Sequence, residues 1–135
     1  MIEKPHYFLI FCNRYCWQTK FLKNGFKHVI LGIYDNGRLV LMERRVSFFM
    51  TEIHTVNDKE VISKLFNING LIRIEMVKSV DFLKNRKIGL YLNTGTCLSI
   101  AKMFLNIPNF KVFTPFSLFK YLKKKDKLVT LFTKT

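Results

Sequence analysis

The dipeptide Asn36-Gly37 sits between two apolar runs, Phe26 to Tyr34 and Leu39 to Glu43. A two-residue connection of this kind needs positive φ at both central positions, which asparagine and glycine tolerate. It joins antiparallel strands with the twist they already have. The turn therefore predicts a register as well as a hairpin. With Asn36 and Gly37 as the loop, Asp35 faces Arg38, Tyr34 faces Leu39, Gly32 faces Leu41, Ile30 faces Glu43 and His28 faces Arg45. Directly paired residues project to the same side, so His28 and Glu43 become diagonal neighbours on one face. Their Cβ separation is then below roughly 7–8 Å, and a glutamate can span that towards an imidazole. One end of an apolar hairpin thus carries His28, Glu43 and Arg45 together. Two readings fit: a histidine held by a carboxylate for chemistry, or an exposed end with an ordinary salt bridge.

The rest of the chain adds elements on both sides of this hairpin. Tyr7 to Cys12 is a short continuous apolar run, as in a buried strand. Asn13 to Gly25 is polar and aromatic, a loop with a short helix. Ser47 to Thr55 reads as a further strand. Asn57-Asp58 precedes a short helix over Lys59 to Phe66, with Val61, Ile62, Leu65 and Phe66 at helical spacing. Asn69-Gly70 turns into a strand over Leu71 to Val77, where Ile72, Ile74 and Met76 alternate with Arg73 and Glu75 as in a half-buried strand. A charged connection from Asp81 to Lys87 leads to an apolar strand, Ile88 to Leu92. Asn106-Ile-Pro108 stops the helix that follows, and Phe110 to Phe113 is a short strand. Thr114-Pro115 opens a last helix over Phe116 to Leu122 that buries Leu118, Phe119 and Leu122. The expectation is one α+β domain over residues 1–135, a small antiparallel sheet packed with about three helices.

Charge narrows the partners. The chain has 135 residues, with 23 Lys and Arg against 9 Asp and Glu, for a formal charge of +14. Such a balance favours polyanions, either nucleic acid or an anionic cell-wall polymer, or else keeps the protein soluble. Lys120, Lys123, Lys124, Lys125 and Lys127 form the densest basic segment and the candidate patch. Three cysteines do not make a disulfide framework, so a reducing compartment is expected. No apolar run reaches the length of a membrane span, and Met1 to His6 lacks a signal-peptide layout. Synthesis in the cytoplasm is the expectation.

The remaining feature with chemistry is Leu90-Tyr-Leu-Asn-Thr-Gly-Thr-Cys97 and the helical pattern behind it. Thr96 suits an N-cap, which makes Cys97 the first helical residue. Backbone N–H groups and the helix dipole there favour a thiolate. The alternative is a small buried hydrophobe that begins a core helix. A zinc site from Cys12, Cys16, Cys97 and one histidine is weakly supported, because Cys-x3-Cys has no second close pair. No metal or cofactor is expected.

The order Gly25-Phe26-Lys27-His28-Val29, then Thr96-Cys97-Leu98-Ser99-Ile100-Ala101-Lys102, then Thr114-Pro115-Phe116 resembles small bacteriophage proteins with a circularly permuted papain-like (NlpC-type) cysteine hydrolase pattern. The resemblance touches both ends of the domain and not residues 44 to 88. Asn106 stands where that pattern has glycine. The resemblance implies a papain-like sheet and an amidase or peptidase acting through Cys97 as nucleophile and His28 as base. Glu43 would orient the imidazole, with Tyr91 or Asn93 beside the Cys97 amide as oxyanion donors. His54 and Glu52 are the rival histidine and carboxylate. The resemblance is equally compatible with a non-catalytic capsid or tail protein. Such a protein would stay in the host cytoplasm or enter the virion, with virion proteins or nucleic acid as partners.

Overall fold

In the computed structural model, which describes residues 6–13, 25–44, 49–78, 101–102, 105, 107, 112 and 114–134, Asn36 and Gly37 have φ of 49° and 75°. Both signs are those a two-residue hairpin turn requires. The turn joins β2 (His28–Asp35) to β3 (Arg38–Arg44), paired from Asp35↔Arg38 through Tyr34↔Leu39 and Gly32↔Leu41 to Leu31↔Met42. The register read from Asn36-Gly37 holds over those pairs. Arg45, expected opposite His28, lies outside the described residues.

β1 (His6–Cys12) pairs with β2 on one side and with β5 (Leu71–Val77) on the other. β4 (Phe49–Thr55) pairs with β3, and β6 (Leu128–Thr133) pairs with β5. Among the described residues the result is a six-stranded antiparallel sheet in the order β4-β3-β2-β1-β5-β6. An apolar run without alternation suits β1 because it is buried on both faces. Phe8, Ile10 and Cys12 face one layer, while Tyr7, Leu9 and Phe11 face the other.

One layer is α1 (Val61–Phe66), which docks Val61 and Leu65 against Ile10, Tyr34 and Leu39. It starts later than the sequence suggests. Asn57 Oδ1 accepts from the amides of Lys59 and Glu60, each at 3.0 Å, and closes a turn there first. The other layer holds α2 (Pro115–Lys124) with Leu118, Phe119 and Leu122 buried, as expected. Thr114 Oγ1 accepts from the Ser117 amide at 3.1 Å, and Ser117 Oγ accepts from the Thr114 amide at 2.8 Å. This reciprocal cap, with Pro115 in the first turn, satisfies amides the helix cannot pair itself. Burial of three large side chains, at about 1.5–3 kcal/mol each, outweighs a cap worth about 1 kcal/mol, so packing holds the helix and the cap sets where it begins.

Ala101 and Lys102 are helical and share this layer with Ile107 and Val112. Lys102 is 4% exposed, and its Nζ donates to the Val112 carbonyl at 2.6 Å. Burial pushes its ammonium below the usual lysine range.

Other expectations change as well. The domain is α+β but mostly sheet, with two helices bounded among the described residues. β6 is a strand that the pattern reading does not include, and Val112 belongs to no strand. Glu75 and Arg73 do not face solvent. Glu75 is fully buried, and its carboxylate accepts from Arg73 Nη1 at 2.9 Å and from Thr130 Oγ1 at 2.8 Å. α2 covers that face, with the Arg73 guanidinium 4.6 Å from the Phe119 ring centroid. The strand Ile88 to Leu92 and the start of the cysteine helix lie outside the described residues.

Candidate functional site

The hairpin register places His28, Ile30 and Tyr34 on the α1 side of β2, and Leu39, Leu41 and Glu43 on the same side of β3. At the end of the hairpin away from the turn, His28 Nε2 and Glu43 Oε2 are 2.7 Å apart. The two side chains are 13% and 7% exposed, so this is a shielded pair and not a solvated surface bridge. With the proton on Nε2, the ring donates to the carboxylate and Nδ1 is its acceptor nitrogen. A histidine in that state can take a proton from an acid brought to Nδ1, and the carboxylate stabilises the imidazolium that results.

The backbone around the pair is pinned locally. Asn13 follows β1, and its Oδ1 accepts from the Gly25 amide at 2.6 Å, while the Asn13 amide donates to the Gly70 carbonyl at 2.9 Å. Gly25 has φ of 88°, a conformation that favours glycine, and it stands three residues before the start of β2 at His28. The end of β1, the approach to β2 and the turn before β5 are thereby fixed to one another beside His28.

Cys12 is the direct cross-strand partner of His28. Paired residues have Cβ atoms about 4.5–5.5 Å apart and share a face, so thiol, imidazole and Glu43 carboxylate lie on three adjacent strands. The sequence puts Cys12 in an apolar strand but holds no local signal that aligns it with His28. The alignment depends on how β1 pairs with β2, across the connection Asn13 to Lys27. Cys12 has no exposed surface, so it cannot meet a substrate where it stands. Cys97, Tyr91, Asn93 and Cys16 lie outside the described residues.

The rival pair is different in kind. His54 Nε2 and Glu52 Oε2 are 3.2 Å apart on β4, the outermost described strand on that side of the sheet, with side chains 35% and 51% exposed. Glu43, Glu52 and His54 all line a groove of about 330 Å³ on the α1 side, floored by Ile30 and Leu41 and bounded by Lys64 of α1. The groove therefore runs from the shielded pair to the exposed one.

The candidate basic patch is surface. Lys120, Lys123, Lys124, Lys125 and Lys127 are all exposed. Three of them lie over rings: Lys120 Nζ is 4.8 Å from the Phe116 centroid, Lys123 Nζ 5.2 Å from Phe119, and Lys125 Nζ 4.6 Å from Tyr121. Among the described residues, no three His, Cys, Asp or Glu side chains come together to hold a metal ion. No helix among them is long and apolar enough to cross a membrane. No family model, no curated protein and no solved structure matches the chain.

Proposed function

We propose that the protein is a thiol hydrolase of circularly permuted papain-like type, an amidase or peptidase that transfers an acyl group through Cys97 and His28. The observation that carries this reading is the shielded His28–Glu43 contact of 2.7 Å. Nε2–H donates to Glu43, and Nδ1, the basic nitrogen of that tautomer, takes the proton of the Cys97 thiol. The thiolate attacks the carbonyl carbon, and the oxyanion accepts from the Cys97 amide with Tyr91 or Asn93 beside it. The imidazolium returns its proton to the leaving amine as the C–N bond breaks. Water then attacks the thioester with the same base, releasing the acid and restoring the thiol. Ala101 belongs to the α2 layer and His28 projects to the α1 side. The reading therefore requires the sulfur to meet Nδ1 at the end of the sheet where β1 stops and β2 starts.

Alkylation with iodoacetamide at neutral pH, read residue by residue by mass spectrometry, tests the pairing. A thiol at a helix N-terminus beside an imidazole ionises below about 8.5. Cys97 should label well before the buried Cys12, and His28→Ala should slow labelling at Cys97 and leave Cys12 unchanged. A Cys97 that stays unmodified in the folded protein, or that labels equally fast without His28, removes the hydrolase reading.

A second reading rests on the exposed lysines at the end of α2. In it the fold serves as a phage capsid or tail component, and the basic segment meets nucleic acid, an anionic cell-wall polymer or partner proteins. Residence in the host cytoplasm, or in the virion, goes with these readings and stands or falls with them.

A further inference from the structure

We infer that the protein self-associates by pairing β4 edge to edge with β4 of a second copy, antiparallel about a two-fold axis through Ile53. Among the described residues β4 has one neighbour, β3, and none of them forms a strand beside its other edge. Which groups those are follows from the ladder. Asp35↔Arg38 closes a two-residue hairpin, so the backbone groups of Arg38, Val40 and Met42 point to β2. Those of Gly37, Leu39 and Leu41 then point to β4, and the Val56 amide does donate to the Gly37 carbonyl at 2.9 Å. Since Leu39 pairs with His54 and Leu41 with Glu52, the residues of β4 that point outward are Thr51, Ile53 and Thr55.

This edge matches itself. A two-fold axis at Ile53 sets Ile53 against Ile53 and Thr51 against Thr55 of the second copy, all as hydrogen-bonded pairs through the outward groups. Glu52 then stands opposite His54 of the other copy, and His54 opposite its Glu52, on the α1 side. Those are non-hydrogen-bonded positions, where side chains approach most closely. On the opposite side, Ile53 is 67% exposed and would gain cover from its own counterpart. The interface is thus complementary in backbone, side-chain hydrogen bonding and apolar surface under one symmetry operation, as an isologous dimer requires.

The other edge of the sheet shows what a protected edge looks like here. The β5–β6 ladder is interrupted by a register shift between Ile74 and Glu75, and Lys125, Lys127 and Lys134 flank β6. β4 pairs without a shift from Phe49 to Thr55 and carries no lysine or proline. Lysines and a register shift guard β6 against edge pairing, and β4 has neither. A formal charge of +14 per copy opposes association, so added salt should favour it.

Sedimentation velocity over a range of protein and salt concentrations should show a monomer–dimer equilibrium that shifts to dimer as either rises. Ile53→Lys places two ammonium groups opposite each other at the axis and should weaken association by about tenfold or more. Register is read by cross-linking under mild oxidation. Ile53→Cys should form an intermolecular disulfide, because hydrogen-bonded pairs hold their Cα atoms about 5.5 Å apart, within disulfide reach. Thr51→Cys, displaced from its own counterpart by several residues, should not cross-link above the wild-type background. A chain that stays monomeric throughout, a dimer indifferent to Ile53→Lys, or equal cross-linking by the two cysteine variants overturns the inference.

Discussion

Glu75 shows how far a single residue's role can depart from its place in a pattern. Alternation along β5 puts Arg73 and Glu75 opposite the apolar Ile74, which suggests a solvated side. That side is covered instead, because α2 lays Phe119 over the guanidinium. A carboxylate with no exposure is tolerable only if its oxygens are satisfied, and here Arg73 and Thr130 satisfy them. Removal of the carboxylate leaves Arg73 partly buried without its counter-charge. Glu75→Ala should cost about 3–5 kcal/mol of unfolding free energy. Thr130→Val removes one hydroxyl donor and should cost about 1 kcal/mol. Urea titration measures both, and equal small losses would mean the charge is solvated after all. The His28–Glu43 pair, by contrast, was legible in the sequence. Both residues belong to one hairpin, and the turn between them fixes which side each faces. Cys12 opposite His28 was not legible, because no local signal relates β1 to β2.

At the scale of elements the same division between local and distant information recurs. α2 is written in its own residues: Thr114 and Ser117 for the cap, Pro115 for the first turn, and Leu118, Phe119 and Leu122 for the buried stripe. Thr114→Ala removes the oxygen that accepts from the Ser117 amide. It should lower stability by about 1 kcal/mol with α2 still formed, and Thr114→Ser should restore most of that loss. Thermal unfolding of the three proteins decides it, and a loss of several kcal/mol would make the cap more than a boundary marker. β6 hides behind the lysine run that ends α2, although Leu128-Val-Thr-Leu-Phe-Thr133 is rich in β-branched and aromatic residues, as strands are. What no element states by itself is the strand order. β1 lies between β2 and β5, and that placement is a matter of long-range burial. β1 has an apolar, buried residue at every position from Tyr7 to Cys12, which suits a strand covered on both faces in the middle of the sheet.

For the molecule as a whole, charge is the property that acts at a distance. The formal balance is +14, and the five lysines from Lys120 to Lys127 are exposed at one end of α2. Rings beneath Lys120, Lys123 and Lys125 hold three of these cations over aromatic faces, which lowers the freedom each loses on meeting a phosphate. If this segment contacts nucleic acid, each neutralised phosphate releases counterions, and the logarithm of affinity falls with the logarithm of salt. Five contacts on duplex DNA correspond to a slope of about −4 to −5, or a loss of about two to three orders of magnitude between 50 and 200 mM salt. Replacing Lys123, Lys124, Lys125 and Lys127 by glutamine should flatten that slope by about 3 to 4, whereas Lys64→Gln, on α1, should leave it within about one. Fluorescence anisotropy with a labelled duplex at several salt concentrations measures both. Dimerisation through β4 runs the opposite way, since screening relieves repulsion between like-charged copies. If both surfaces act as proposed, salt separates them in one protein: DNA affinity should fall as sedimentation shifts to dimer. A slope unchanged by the quadruple substitution would mean that the lysines of α2 only keep the protein dissolved.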